Sequence, residues 1–235
     1  MKLDQIQYGT TQINYSLEYA DRKTLGIKVH PDKSVQVLAP LDSTADEVKK
    51  KIKVKASWIL KQQDFFLSFQ PLTPLRQFVS GETHLYLGKQ YVLKLIKSDS
   101  QEVKLHGGRL EVSLKDKDDK KKVEQLLKKW YKGKADQHFN ELYQSNQLLT
   151  NSFKKKPTGL KYRWMAKRWG SCDKDGGIHL NLELIKAPKK CIEYVLIHEL
   201  CHLVHHDHSK AFYELLEKHY PNWKETKYKL EKLMV

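Results

Sequence analysis

Two histidines and a glutamate in one short segment, His198-Glu199-Leu200-Cys201-His202, have the types and spacing needed to activate water on a metal ion. Side chains four residues apart project from the same face of a helix, so His198 and His202 can reach one ion. Glu199, on the next residue, can approach a water on that metal without binding the metal itself. The segment therefore predicts a metal site on a helix.

A third ligand is expected from the chain just beyond this helix. His208 follows His202 by six residues, and a chain that turns back past the helix end can bring its imidazole to the same ion. Three neutral imidazoles that leave one coordination position open favour a catalytic zinc over a closed structural site. The alternative is a hydrogen-bonded cluster of core histidines that holds no metal.

The chemistry that such a site predicts is hydrolysis. Zinc lowers the pKa of a bound water to about 7, and a carboxylate placed like Glu199 takes the remaining proton and passes it to the leaving amine. We therefore expect a zinc-dependent peptidase with one zinc per chain, His198, His202 and His208 as metal ligands, and Glu199 as general base and acid. Hydrolysis of a small amide or ester is an alternative for the same site.

Several neighbouring residues are candidates for supporting roles. His205 is expected to be an ordinary, partly exposed histidine, with a supporting contact to the site or an oxyanion donor as alternatives. Cys201 is expected to be a small packed apolar residue, with a competing metal ligand as the alternative. The segment 169–172 is expected to pack near the metal helix rather than to supply a nucleophile, because the metal already supplies one. Arg168 can hold a substrate carboxylate or an oxyanion, or lie on the surface.

Composition limits the classes of protein that this chain can belong to. The 235 residues are 40% apolar, which excludes disorder as the main state. No run of 18 apolar residues exists, so a membrane-spanning helix is not expected. The N-terminal residues lack the apolar stretch of a secretory signal, and three cysteines do not make a disulfide framework. These features predict a cytoplasmic globular protein.

A net charge of +15 raises the alternative of a nucleic-acid partner. Residues 115–134 carry nine lysines and four acids, and residues 154–168 carry seven basic residues and no acid. Either a DNA-binding module or a protease that acts on DNA-bound proteins would use such a surface. Against this, the sequence has no recognised DNA-binding motif and no aromatic residues interleaved with lysine for stacking. A solvated basic surface explains the charge equally well.

The order of the predicted elements indicates an α+β fold with two parts. Strands are predicted near residues 13–17, 25–29, 35–39, 84–87, 91–96, 103–105 and 110–114. A helix capped by Ser43 or Thr44 interrupts them and ends near Phe66. The charged segment 115–122 is the expected boundary, which gives a β-rich region, 1–115, and a second region, 116–235.

The second region is expected to be mainly helical, with short strands. Apolar residues recur at helical spacing from residue 123, and a strand is predicted near residues 160–165. A half-buried strand is predicted for Ile178 to Ile185, because its apolar residues alternate. A helix from Cys191 to His205 is apolar on most sides and should lie inside the protein. Ser209 is expected to cap the next helix, and a last helix should reach Met234.

The C-terminal motifs resemble those of the YgjP-like metallopeptidases, which are zincin-fold proteins more distantly similar to the SprT and WLM proteases. The resemblance is densest between residues 160 and 221 and extends more loosely over most of the chain. The segments that carry it are Arg168-Trp169-Gly170-Ser171-Cys172, Ile178-His179-Leu180-Asn181-Leu182, Ala187-Pro188, Tyr194 to Leu203, and His208-Ser209 with Phe212.

The resemblance implies a zincin-like helical core with zinc on His198, His202 and His208 and catalysis by Glu199. It also implies an edge strand beside the active-site helix, assigned to the Ile178 strand, that aligns an extended peptide substrate by β-addition. SprT-like and WLM relatives imply a protein crosslinked to DNA as one substrate class. His205 stands where metzincins carry glycine, so the turn into His208 should differ from theirs.

Overall fold

The first strands of the chain pair into a mixed sheet that one long helix covers. The structure, a computed structural model, describes residues 2–30, 32–67, 76–166 and 168–234, and the chain divides into two units, residues 1–74 and 75–234. The N-terminal unit contains β1 (Lys2–Tyr8), β2 (Thr11–Ala20), β3 (Gly26–Val29), β4 (Val35–Pro40) and α1 (Ala45–Leu67). The strand order is β1-β2-β4-β3, which leaves β3 at one edge.

The periodicities of the sequence account for this unit. Strands β2 and β4 bury alternate residues, as the alternation predicts, and β3 and β4 form an antiparallel pair. Helix α1 buries one stripe at helical spacing against the sheet, consisting of Val48, Ile52, Ala56 and Ile59. Burial of this stripe and of the inward strand residues gives the unit a core of its own.

The start of α1 is fixed by a reciprocal cap. The Glu47 backbone N–H donates to Thr44 Oγ1 at 3.3 Å, and the Thr44 backbone N–H donates to Glu47 Oε2 at 2.9 Å. Such a box satisfies two of the backbone donors that a helix start leaves free. The predicted choice between Ser43 and Thr44 is thereby resolved in favour of Thr44.

The C-terminal unit begins with a second four-stranded sheet. Its strands are β5 (Thr83–Tyr86), β6 (Lys89–Lys97), β7 (Glu102–His106) and β8 (Arg109–Leu114), in the order β5-β6-β8-β7. Helix α2 (Lys120–Ser145) follows and contacts β7 and β8. The Tyr131 hydroxyl on α2 donates to the Leu85 carbonyl of β5 at 2.7 Å, which ties the helix to the far edge of the sheet.

The division of the chain differs from the predicted boundary at residue 115. The inward residues of β6 and β8 share one core with the inward face of α2 and with the helices that follow. The charged segment 115–119 is a surface connection within this unit, and its charge reflects solvation rather than a domain linker. The change of unit falls near residue 74 instead.

The third sheet and the last three helices complete the C-terminal unit. The sheet has the order β10-β11-β9, formed by β9 (Gly159–Arg163), β10 (Gly170–Cys172) and β11 (Gly177–Asn181). The helices are α3 (Lys189–Cys201), α4 (Lys210–His219) and α5 (Trp223–Met234), and short 3-10 helices cover 147–152 and 182–186. The expected α+β class, with a β-rich N-terminal part followed by helices, is confirmed.

Two predictions for this sheet need correction. The strand expected to continue to Ile185 ends at Asn181, and the next residues form a 3-10 helix whose apolar side chains remain buried. The same strand was expected to be the edge strand beside the metal helix, but β11 lies in the middle of its sheet, between β10 and β9. The edge strand beside α3 is β10, which is too short to show a period of two.

The start of α3 is anchored by the turn between β5 and β6. The Leu87 and Gly88 N–H groups each donate, at 2.9 Å, to the carbonyls of Ile185 and Lys186 respectively. Gly88 has φ +78°, and a Cβ at this residue would lie 2.5 Å from Pro188 Cγ. Glycine is thus required both by the backbone conformation and by the close approach of Pro188, the N-cap of α3.

Among the described helices, none is both long and apolar enough to cross a membrane.

Candidate metal centre

Helix α3 presents His198 and His202 on consecutive turns, and the chain beyond it returns His208 to the same place. The nitrogen donors of the three side chains all lie within 4.8 Å of one another. His208 Nε2 is 3.0 Å from His198 Nε2. The helix ends at Cys201 rather than at the predicted His205, and this earlier end gives the chain room to turn. The three histidines expected to act together are therefore adjacent in space.

A single aromatic ring underlies the cluster. Phe212, on α4, is fully buried, and its ring centroid lies 4.9 Å from that of His198, 4.6 Å from that of His202 and 4.8 Å from that of His208. A rigid ring that contacts all three imidazoles restricts their orientations. The sequence indicated Phe212 as one of the motif residues that carry the family resemblance, with no role at the metal.

The hydrogen bonds around the imidazoles leave nitrogen lone pairs facing the cluster. His202 Nδ1 donates to the His205 carbonyl at 2.9 Å, so the lone pair of His202 is on Nε2. His198 Nδ1 is buried and has no hydrogen-bond partner among the described residues. Burial, with smaller effects of the other two histidines, lowers the pKa of His198 to about 3. His198 is therefore neutral at physiological pH, as a metal ligand must be.

His205 contributes through its backbone rather than through its ring. Its side chain is partly exposed, as expected for an ordinary histidine, whereas its carbonyl accepts the bond that orients His202. The supporting contact considered for this residue is therefore present, but the backbone carbonyl makes it, and every residue type has this group. His206 lines the cleft in front of the cluster.

Glu199 is buried between α3 and the edge strand β10. It is only 6% exposed, and it accepts a hydrogen bond from the backbone N–H of Cys172. A Cβ on Gly170 would lie 2.7 Å from both Cγ and Oε1 of Glu199, so the strand approaches the carboxyl as closely as glycine allows. Burial raises the pKa of Glu199 to about 8, against the opposing effects of Arg168 and of the Cys172 N–H.

The segment leading into β10 is held by the side chain of Asn181. This buried amide donates from Nδ2 to the Met165 carbonyl at 2.8 Å and to the Arg168 carbonyl at 2.9 Å. Its Oδ1 accepts from the N–H groups of Met165 at 3.2 Å and Glu183 at 3.1 Å. Asn181 thus fixes the segment that carries Arg168. In the sequence, Asn181 lies on the polar face of the alternation, with His179 and Glu183, so the pattern did not indicate this role.

The strand β10 itself agrees with the expectation of a packed segment. Trp169 and Cys172 both pack against the main core. Burial raises the pKa of the Cys172 thiol to about 11, with Glu199 and Asp173 adding to the effect. A neutral thiol is a poor nucleophile. Cys201 is fully buried, and burial raises its pKa to about 12, consistent with a packing role.

The cluster opens into a cleft of about 680 Å³ whose opposite wall is formed by α5. Trp223 stacks on Tyr213 with ring centroids 5.0 Å apart. Lys227 and Glu231 lie one turn apart on the same wall, with 3.9 Å between Nζ and Oε1. Burial raises the pKa of Glu231. These wall residues were not singled out from the sequence, because a helix pattern does not show which residues of its polar face line a cleft.

A buried helix with two histidines four residues apart and a third histidine from the loop beyond it is typical of metal-dependent hydrolases. A family model described as YgjP-like, metallopeptidase domain matches residues 23–233. The chain therefore belongs to the YgjP-like metallopeptidase family, as the resemblance of its motifs predicted. The family implies a metal ion and peptide substrates. A search among curated proteins found no significant match.

Proposed function

We propose that this protein is a zinc-dependent peptidase that hydrolyses peptide bonds in a peptide or protein substrate. The observation that carries the proposal is the convergence of three imidazole side chains beside a buried carboxyl at the base of an open cleft. Imidazole donors suit zinc, and three protein ligands leave a coordination position for water or substrate. The family match supports the peptidase class.

The residues present fit one zinc ion per chain. His198, His202 and His208 would hold it, and the hydrogen bond from His202 Nδ1 to the His205 carbonyl leaves Nε2 of His202 as the donor to the metal. Zinc, when bound, supplies Lewis-acid activation of water and of the scissile carbonyl. In the metal-free alternative, His198 and His208 would share one hydrogen bond between their Nε2 atoms, which lie 3.0 Å apart.

Glu199 supplies the proton transfers in this proposal. Its carboxyl accepts a proton from the attacking water and passes it to the leaving amine. A divalent cation in the cleft favours the ionised carboxylate, which counteracts the effect of burial on the pKa of Glu199. The Cys172 N–H holds the carboxyl in one orientation, and Gly170 leaves the space that this orientation needs.

Substrate would enter along β10, the edge strand of its sheet. Among the described residues, no strand pairs with the outer edge of β10, and its residues line the cleft. Backbone pairing of an extended peptide with an edge strand is a common means of aligning a substrate. The proposal moves this role from the Ile178 strand to β10.

The peptidase is tested by incubating the zinc-loaded protein with unfolded casein and with a mixture of random peptides, followed by mass spectrometry of the products. We expect new peptide termini with wild type and none with Glu199→Gln, which keeps the side-chain size but cannot accept a proton. Absence of cleavage by the zinc-loaded wild type across both substrates would count against the peptidase. Cleavage of dipeptides or esters alone would point to the small-molecule alternative. Nothing in the family match or in the described residues supports the nucleic-acid alternative.

A further inference from the structure

The N-terminal unit contains a groove that combines apolar surface with a cationic rim. It has a volume of about 630 Å³ and lies between α1 and the segment that leads into β3. Two apolar side chains of α1 line it and are exposed, Val54 at 81% and Trp58 at 43%. Four lysines surround them, Lys23, Lys50, Lys51 and Lys55.

The apolar residues of this groove do not belong to the core-facing stripe of α1. That stripe is buried against the sheet and is separated around the helix from the face that carries Val54 and Trp58. Residues 50, 54 and 58 are spaced by four, so they follow one another along a single outer face. The apolar part of this face is the pair Val54 and Trp58, one turn apart, and Lys50 lies one turn before them. An exposed tryptophan beside a second apolar residue is a suitable anchor for a binding partner.

The positive charges around the groove are not neutralised by the unit itself. None of the four lysines has an ion pair within 4.0 Å among the described residues, whereas the nearby Lys49 pairs with Asp4. The acid that interacts with Lys51 and Lys50 is Glu47, whose pKa is lowered mainly by hydrogen bonds from Thr44. Glu47 supplies one negative charge against the four lysines of the groove, so the groove keeps an excess of positive charge that suits an anionic partner.

The side of the groove opposite α1 is formed by an edge strand and the segment that leads into it. Strand β3 pairs with β4 on one side only, and no strand of the described chain covers its other side. Residues Leu25 and Ile27, at the start of β3, line the groove. An uncovered edge offers backbone donors and acceptors to an added strand. A peptide backbone supplies both donors and acceptors at the spacing of this edge, whereas the phosphates of a nucleic acid supply acceptors only.

We propose that this groove docks an extended, acidic peptide segment that carries hydrophobic side chains between its carboxylates. The peptide backbone adds to the free edge of β3, its hydrophobic side chains contact Trp58 and Val54, and its carboxylates face the lysine rim. Successive side chains of a strand point to opposite sides, so every second residue of the peptide faces α1, and these residues alternate between acidic and hydrophobic. The site is separate from the histidine cluster, and the proposal does not depend on the peptidase.

Binding of a fluorescein-labelled octapeptide of the repeat Glu-Thr-Val-Thr, which places glutamates and valines on the same side of a strand, is measured by fluorescence anisotropy on the full chain to test this proposal. The Glu199→Gln chain is used so that the probe is not consumed. We expect saturable binding that Lys51→Glu weakens about fivefold, since reversal removes one attraction and adds one repulsion. Lys53→Glu, the same change on an exposed part of α1 outside the groove, should leave the affinity within about twofold.

Two further measurements separate strand addition from simple charge attraction. Trp58→Ala should weaken binding by about tenfold, because it removes an exposed aromatic contact, while circular dichroism shows that the unit stays folded. Two forms of the peptide, N-methylated on one or the other alternate set of amides, should differ, because only one set of amides faces β3. Equal binding of the two forms would overturn strand addition.

Other occupants give different results. Binding of a lysine–valine octapeptide as tightly as of the acidic one would contradict the charge argument. Tighter binding of single-stranded octathymidylate than of the acidic peptide, lost in Lys51→Glu, would replace the peptide with a nucleic acid. No saturable binding of the acidic peptide at low salt would overturn the proposal, and because no cleavage is measured, that result would leave the peptidase untouched.

Discussion

Gly170 and Glu199 lie so close together that no side chain fits between them. A Cβ at residue 170 would be 2.7 Å from both Cγ and Oε1 of Glu199, and the neighbouring Cys172 N–H donates to the same carboxyl. The edge strand β10 and the helix α3 therefore fix one another at the residue proposed to transfer protons. The absence of a side chain at residue 170 is part of how this carboxyl is positioned.

Substitution of Gly170 by alanine should lower activity without loss of metal. The added methyl must displace the Glu199 carboxyl, and a misplacement of about 1 Å at a reacting group can cost on the order of a hundredfold in rate. Measurement of kcat together with zinc content checks this expectation. Gly133→Ala is the matched control, because a Cβ at that helical glycine meets nothing within 4 Å. An unchanged kcat in Gly170→Ala would show that the close contact is not functional.

Loss of Asn181 should destabilise the C-terminal unit. Asn181→Ala leaves backbone groups of Met165, Arg168 and Glu183 without their partners, and unsatisfied buried groups cost about 1–3 kcal/mol each. We expect the free energy of unfolding in urea to fall by about 2–4 kcal/mol. Asn140→Ala, which removes a bond within the exposed part of α2, should change it by less than about 0.5 kcal/mol. Similar values for both variants would contradict the account of this segment.

Replacement of Phe212 should weaken metal binding more than it weakens the fold. Phe212→Leu retains apolar bulk but removes the ring that contacts the three imidazoles. Groups that orient metal ligands typically contribute about 10–100-fold to affinity, so zinc affinity should fall by about that factor. Phe139→Leu removes an equally buried ring from α2 and should destabilise the protein with zinc affinity nearly unchanged. Competition with a fluorescent chelator measures both, and equal losses would refute an orienting role.

The stability of the metal-free protein should depend on pH through Glu199. Burial raises its folded-state pKa from 4.5 to about 8, so between these values the folded protein binds more protons than the unfolded chain. The unfolding free energy contributed by this group therefore falls as pH rises through that range. In protein treated with a chelator, the free energy of unfolding of Glu199→Gln minus that of the wild type should increase from about pH 5 to about pH 8.5. A difference that is constant with pH would contradict burial of an ionisable group.

Sequence patterns predicted the elements that repeat regularly and missed those that tertiary contacts create. The three histidines, Glu199 and the buried helix followed from spacing and apolar content, and the structure brings all four side chains to one cleft. Strand β1 was not predicted, because most of its residues are polar and exposed and its pairing with β2 fixes its conformation.

The position of each strand within its sheet could not be predicted from the local sequence, for a related reason. The alternation of residues 178–185 signals burial of one face but not the place of a strand in a sheet, so the edge position was assigned to β11 instead of β10. The same alternation continues through a 3-10 helix, whose residues are buried at similar intervals. The roles of Asn181 and Phe212 depend on residues distant in sequence, and a single chain carries no local sign of such contacts.

Zinc content tests the central claim most directly. The wild type, Glu199→Gln and His208→Ala are purified without chelators or an affinity tag of histidines, dialysed against zinc and then against buffer, and measured by mass spectrometry for metal per chain. The account predicts about one zinc per chain in the wild type and in Glu199→Gln, and much less in His208→Ala, because that variant leaves only two of three donors. Equal zinc in His208→Ala and wild type, or none in any of them, would contradict the three-histidine site.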